Sequence, residues 1–338
     1  MAVERGGQLW VYRQGWLEVS TDSGETSRML APLAMPRGER LVGRSRLARR
    51  FLRSGILDLL PLPSGAALGV VRGSILRLPR AGEVFDEVMA CAGKTMRLEV
   101  GLDGTVYAAE YFFNGAREPV RIYASGDDGC TWNEVFRFPA GAIRHVHAIV
   151  YCSQLDRLAV LTGDLDGECM VLLADPEFDH IEVIGQGSQR FRACGLAEFQ
   201  GGFLLPTDTP FEQNYVQHLS LDGRLERLCP LPGSCLSVAR AGKWYFFGTA
   251  VEPSPVNRDS SACLYGTMDG AQWLVIGRWR ADWWSSGWPL KAAVFQMPRV
   301  ILPRTNHSSP YLYASPIAVR HGDGDLIRWP VAGLGEEL

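Results

Sequence analysis

The chain has 338 residues, 46% hydrophobic and 21% charged, enough for one large domain or two small ones with a sizeable core. A formal net charge of −3 and an isoelectric point near 6.1 argue against a general nucleic-acid binder. No apolar run approaches the roughly 18 residues that a membrane span requires, so neither a nucleic-acid nor a membrane partner is expected.

In chain order, the opening segment MAVERGGQLWVYRQGW lacks the basic start and apolar centre of a secretory signal, which points to the cytoplasm. Three strand-like runs follow, QLWVY, WLEVS and SRML, with the turn STDSGETS at 20–27. Residues 38–55, GERLVGRSRLARRFLRSG, carry six arginines, with Leu47 and Phe51 four apart. That pattern predicts a short amphipathic helix, inserted at about 37–55, either as a solvated rim element or as a lid over an anionic substrate.

Beyond the insertion the chain repeats with a period of 47 residues. Steps forward from Asp128 land on Asp175, Asp222, Asp269 and Pro316; one step back reaches Ala81, and Gly24 marks a seventh turn. Each position follows an apolar run (RIYASGDD, CMVLLADP, VQHLSLDG, CLYGTMDG, YLYASP) and precedes another (VFRF, IEVI, RLERL, WLVIG, IAVR). Four strands are readable in a unit, as in RHVHAIV, DRLAVLT, ECMVLL and HIEVI. Four-stranded units at this period predict an all-β fold, a β-propeller forming a single domain over 1–338. Seven blades are expected, or six if the N-terminal strands complete the last blade. The first unit has three legible strands and the last is followed by a surplus one, DLIRWPV. Pairing the surplus strand into the first blade would close the ring between the N- and C-terminal strands without an open edge.

The turn YASGDDGCTW at 123–132 places Ser125, Asp127, Gly129, Thr131 and Trp132 at fixed offsets. An Asp at this position accepts hydrogen bonds from amides of a tight turn, a Gly takes positive φ without steric cost, and a Trp buries a large ring between blades. SGDDGCTW resembles the Asp-box, or BNR repeat, of sialidases and related propellers. STDSGETS is a weaker copy with Ser27 in place of Trp, and GTMDGAQW at 266–273 has Met268 at the Asp position. The resemblance implies that these boxes join the third and fourth strands of a blade, remote from the active site. The working face is then the opposite one, formed by second-strand ends and first-strand starts.

The second-strand ends read VYAAEYFFN, AVLTGD, LLPTDTPFEQN, FFGTAVEPSPVNRD and ILPRTNH. They offer Glu110, Asp164, Asp208 and Glu252 as candidate acids, with Asp164, Asp208 and Glu252 spaced 44 apart. The same ends carry Asn214, Arg258 and His307 as candidate substrate contacts. First-strand starts, KTMRLEV, IRHVHAI and QRFRACG, supply Arg97, Arg144, Arg190 and Arg192 for an anionic substrate, and His145 and His147 for proton transfer. Alternation along a strand puts His145 and His147 on one face, as metal ligation requires. If a divalent metal binds, His145, His147, Asp164 and Asp208 are its candidate ligands, with Ca²⁺ or Mn²⁺ suggested by the carboxylates. RWRADWWSSGW at 278–288 adds Trp283, Trp284 and Trp288, for sugar stacking or interblade packing.

The eight cysteines form no C-x-x-C pair, which predicts reduced, mostly buried thiols rather than a zinc or redox motif. Nor is there a G-x-x-x-x-G-K-[ST] or G-x-S-x-G motif. The sequence is similar to uncharacterised bacterial sialidase-like proteins across most of 55–280, through YFFN, RHVH, TGD…EC and TDTP-x-E-Q-N. That resemblance implies a carbohydrate-directed function. The Arg-Ile-Pro motif of true sialidases is absent; the nearest is Met35-Pro36-Arg37. The expected function is a carbohydrate-active enzyme, glycoside hydrolase or lyase, acting on an acidic glycan at the channel mouth. The alternatives are a non-catalytic glycan- or protein-binding propeller and an assembly factor.

Overall fold

The computed structural model describes residues 1–334, apart from 14, 34–55, 72, 82, 92, 94, 253, 283–295 and 305–308. The Arg-rich insertion, Trp283, Trp284, Trp288 and His307 therefore lie outside the described residues. Seven antiparallel sheets follow one another along the chain as the blades of a β-propeller. Six have four strands, β1–β4, β5–β8, β9–β12, β13–β16, β17–β20 and β21–β24; the seventh has three among the described residues, β25–β27.

The apolar pattern follows from position in the blade. Second strands are sandwiched between neighbouring sheets, so both of their faces are buried. Hence β10 (Val106–Ala109), β18 (Gly202–Pro206) and β22 (Trp244–Thr249) read as continuous apolar runs with no exposed residue. Fourth strands lie at the rim and are mostly exposed or half-buried, as in β16 (Ile181–Gln186) and β24 (Leu274–Arg280). Charged residues such as Glu182, Arg278 and Arg280 on these outer strands discourage edge-to-edge pairing. In six blades the third and fourth strands meet through a register shift, between Ile122 and Tyr123 in the third blade, for example. Such a bulge sharpens the twist of the outer strand.

Among the described residues, seven clusters of buried side chains fill the seven junctions between blades. The smallest, Ala2, Leu9 and Tyr313, lies where the first blade meets the last. The ring does close between N- and C-terminal strands, but not by sharing one blade. β1 (Ala2–Arg5) pairs with β2 (Gln8–Arg13) and completes the first sheet itself, so no vacancy remains there. The C-terminal strand β27 (Ile327–Pro330) stays in the last blade, on β26 (Tyr311–Ile317). The run IAVR is correspondingly not a fourth strand; its last three residues lie between β26 and β27, where Val319 forms an isolated bridge to Ala281. The closing contacts are Arg304 O to Glu4 N at 2.8 Å, and Ser23 O accepting from Arg328 Nη1 at 2.8 Å and Tyr313 Oη at 3.3 Å.

The turn around Asp127 joins β11 (Val120–Ser125) to β12 (Asn133–Phe138), the third and fourth strands of their blade. Asp127 accepts from Thr131 N at 2.9 Å and Thr131 Oγ1 at 2.7 Å, while Ser125 Oγ donates to it at 2.8 Å and accepts from Gly129 N at 3.0 Å. These bonds, led by the Thr131 amide, draw the Asp127 carboxyl down to about 2. Ser20, Asp22, Gly24 and Thr26 repeat the same bonds. In the third copy Asp269, one residue beyond Met268, takes the carboxylate's place, accepting from Ala271 N and Gln272 N at 2.9 and 2.8 Å. Trp273 Nε1 donates to Gly270 O at 2.9 Å, as Trp132 Nε1 does to Gly129 O at 3.2 Å. All eight cysteines are free, five of them buried.

Candidate functional site

On the face opposite these turns, Asp164 follows the second strand β14 (Arg157–Thr162). Two guanidiniums and two imidazoles surround its carboxylate. Arg144 Nη1 lies 3.1 Å from Oδ2 and Arg192 Nη2 3.1 Å from Oδ1. His145 Nε2 lies 3.5 Å from Oδ2 and His147 Nε2 3.5 Å from Oδ1. Arg144 and His145 sit just before β13 (Val146–Cys152) and His147 within it, and the imidazole centroids are 5.1 Å apart. Burial opposes ionisation of Asp164, but His145 and His147 in their protonated form, together with the charge of Arg192, outweigh it and hold the carboxyl well below the usual aspartate range.

Arg192 belongs to the next blade, just after a short 3₁₀ turn (Gln189–Phe191). Its Nη1 also donates to Asp164 O at 3.1 Å, and its Nε lies 3.8 Å from Asp208 Oδ2. Burial works against the Arg192 charge; Asp208 and Asp164 more than offset it. Glu252, one blade further on, accepts from Ser234 Oγ at 3.0 Å. Burial, then the charge of Asp208, pushes its carboxyl above the usual glutamate value. Of the three acids spaced 44 apart, Asp164 and Asp208 thus lie beside Arg192, and Glu252 is near enough to feel its charge.

Other expected residues are placed differently. Glu110 is engaged within its own blade, by Arg121 N at 2.9 Å, Arg121 Nη1 at 3.3 Å and Tyr123 Oη at 3.3 Å. Asn214 is a buried loop clamp: it accepts from Thr207 Oγ1 and Thr209 N at 2.9 Å and donates to Thr209 O and Asn257 Oδ1. Both polar atoms of its amide are engaged within the scaffold. Arg258 is exposed and donates to Pro255 O at 2.9 Å. Arg97 joins a second charged group, 3.7 Å from Glu99 and near the Arg304–Asp58 pair, whose separation is 2.7 Å. Burial and the neighbouring Arg304 lower its pKa. Arg190 lies in the 3₁₀ turn and its carbonyl accepts from Gln217 Nε2 at 2.9 Å.

Several residues at the cluster were not singled out by sequence. Tyr111 packs against His145 with centroids 3.9 Å apart and planes tilted by 31°, and burial pushes its phenol up. Glu168 accepts from Arg144 N at 3.2 Å and Arg117 Nε at 2.5 Å. Gln189 Nε2 donates to Asp164 O at 3.1 Å. Cys194 Sγ donates to Asp208 Oδ2 at 3.2 Å, and its thiol is pushed far up by burial, so it acts as a donor rather than a nucleophile. A signal for Cys194 was present, since it lies one repeat period, 47 residues, after His147. A depression lined by Leu165, Asp166, Gly167, Gln189, Phe211 and Glu212 adjoins the cluster through Gln189.

No protein-family model and no curated protein sequence matches the chain. Its likenesses are to solved structures. The WD40 β-propeller domain of Doa1 shares 12% identity at a TM-score of 0.56, over 97% of this chain and 90% of that one. YCF48 from Cyanidioschyzon merolae shares 14% at 0.56, over 96% and 92%. The RRP9 WD40 repeats share 11% at 0.52, over 82% and 77%. The chain is a seven-bladed β-propeller. At these identities the likeness speaks to fold alone.

Proposed function

We propose that this propeller is a cytoplasmic carbohydrate-active enzyme, of the glycoside-hydrolase type, that cleaves an acidic glycan at the channel mouth. One observation carries the reading: acids from equivalent positions of three consecutive blades share the field of one guanidinium, Asp164 and Asp208 in contact with it, with the Asp164 carboxyl held down and the Glu252 carboxyl pushed up. Glycosidic cleavage needs a proton donor to the leaving oxygen and an ionised carboxylate as partner. Glu252, whose carboxyl is pushed above the usual glutamate value by burial, is the proposed donor. Asp208 is the partner, because Asp164 is already engaged by Arg144, Arg192 and two imidazoles. Arg144, Arg190 and Arg192 supply positive charge for an acidic sugar. Phe113 and Phe211, exposed after β10 and β18, offer flat apolar faces to sugar rings. The resemblance of the Asp127 turn to the Asp-box of sialidase-like propellers leans the same way.

The test is incubation of the protein with acidic and neutral oligosaccharides, following reducing ends and ultraviolet absorbance together. Glu252→Gln and Asp208→Asn are each expected to lower kcat about 10²- to 10⁴-fold. A rise in absorbance would replace hydrolysis by elimination, with His145 or His147 as base. Absence of turnover on every glycan, or undiminished turnover in both variants, overturns the reading. A second reading, a non-catalytic propeller that docks a glycan or protein, is favoured by one feature. Phe113, Leu165, Phe211 and Val256 protrude after the second strands of four successive blades.

A further inference from the structure

We propose that His145, His147 and Asp164 form a binding site for a divalent transition-metal ion of the zinc class. The argument rests on tautomers. His145 Nδ1 lies 3.3 Å from Phe112 O, and His147 Nδ1 lies 3.2 Å from Ala193 O. A carbonyl oxygen only accepts, so each Nδ1 carries the hydrogen. In the neutral form of each ring Nε2 is then a lone pair, and both Nε2 atoms are directed at the Asp164 carboxylate, which is also acceptor-only. Acceptors therefore face acceptors on both sides of one carboxylate. Consistent with that, His145 Nε2 is buried and has no hydrogen-bond partner among the described residues. A cation lying between them resolves the conflict.

The spacing admits a cation and the donor set selects its kind. A protonated imidazole on a carboxylate closes to about 2.7–2.9 Å. The observed 3.5 Å, from His145 Nε2 to Oδ2 and from His147 Nε2 to Oδ1, is longer than that and leaves room for an ion between the two rings and the carboxylate. Backbone carbonyls behind both Nδ1 atoms are the outer support that fixes ligating histidines. Two imidazoles and one carboxylate suit zinc, iron or nickel better than the calcium or manganese that carboxylates alone suggest. Arg144 and Arg192 hold the carboxylate's orientation from its other sides, and their charge tempers affinity, so a micromolar site is expected. Three protein ligands leave a coordination position for water or a substrate oxygen. The alternative set His147, Cys194 and Asp208 competes poorly, because His147 Nδ1 lies 3.2 Å from Ala193 O but 3.9 Å from Cys194 Sγ.

The site shares the mouth with the glycan reading but does not depend on it, and its test contains no sugar. The full chain, stripped with a chelator, is titrated with Co²⁺ and Zn²⁺, reading visible absorption, calorimetry and melting temperature. The expected result is one ion per chain, weak visible bands of four- or five-coordinate cobalt, displacement by Zn²⁺ and a raised melting temperature. His145→Gln and His147→Gln are each expected to weaken binding at least about 100-fold, whereas His180→Gln, at an exposed histidine, leaves it unchanged. Should the mouth variants fail to fold, the wild-type spectrum still decides. An intense thiolate-to-cobalt band, an absence of saturable binding, or binding lost with His180→Gln each overturns the proposal.

Discussion

Arg192 crosses a blade boundary to hold Asp164 twice, through the carboxylate at 3.1 Å and the backbone carbonyl at 3.1 Å. The contact ties the fourth and fifth blades at the mouth of the channel, where both partners are largely shielded from water. Removing Arg192 leaves Asp164 with Arg144 as its one guanidinium and takes from Asp208 the cation beside it. Arg192→Met is therefore expected to cost about 3–5 kcal/mol, and the double variant with Asp164→Asn less than the sum. Denaturant unfolding of the four proteins measures this; strict additivity would show that the pair does not act as one.

Glu252 sets a pH dependence of activity and of stability. Its folded pKa is raised above the ordinary 4.5, so the folded protein keeps a proton that the unfolded chain releases. Stability linked to this group falls as pH rises from 4.5 through the raised value, and activity that needs the proton falls over the same rise. Glu252→Gln should abolish both trends, read from kcat and melting temperature against pH. An unaltered stability profile in the variant would remove Glu252 from the account.

Gly129 is required twice over. Its φ is +80°, and a Cβ there would meet Leu68 Cδ2, in the neighbouring blade, at 2.6 Å. Gly129→Ala is expected to destabilise by about 1–3 kcal/mol. Gly141, also at positive φ (+87°) but facing open space, is the control that separates backbone strain from the clash. Equal losses at both sites would assign the whole effect to φ.

Asp127 is drawn from 3.8 to about 2, so its share of stability is present above 3.8 and is lost as pH falls through about 2. Asp127→Asn should flatten the acid limb of the stability curve in that window while leaving neutral turnover intact. Melting curves collected down the acid range check the first expectation. Loss of turnover near neutrality would mean that this turn communicates with the mouth.

Ring closure rests on the smallest of the seven clusters, centred on Tyr313. Tyr313→Ala is expected to cost about 3–5 kcal/mol and to speed amide exchange first in β1, β26 and β27. Uniform acceleration around the whole ring would show instead that all seven junctions open together.

Much of the fold was legible in the chain itself. The 47-residue period, the continuous apolar second strands and the turn bonds of Ser125, Asp127 and Thr131 are local, because each depends on residues within one blade or its immediate neighbour. The register of Asp164, Asp208 and Glu252 was readable for the same reason: equivalent positions of a repeat return to one face. Tertiary structure alone decided which side chains meet across blades. Glu110 and Asp164 occupy comparable strand ends, yet Glu110 is claimed by Arg121 on its own sheet, while Asp164 collects cations from two blades. Ring closure was decided there too, because β27 pairs with the strand that precedes it and β1 already fills the first sheet. Periodicity specifies the backbone of a blade; long side chains reaching across junctions answer to packing and charge, which no repeat encodes.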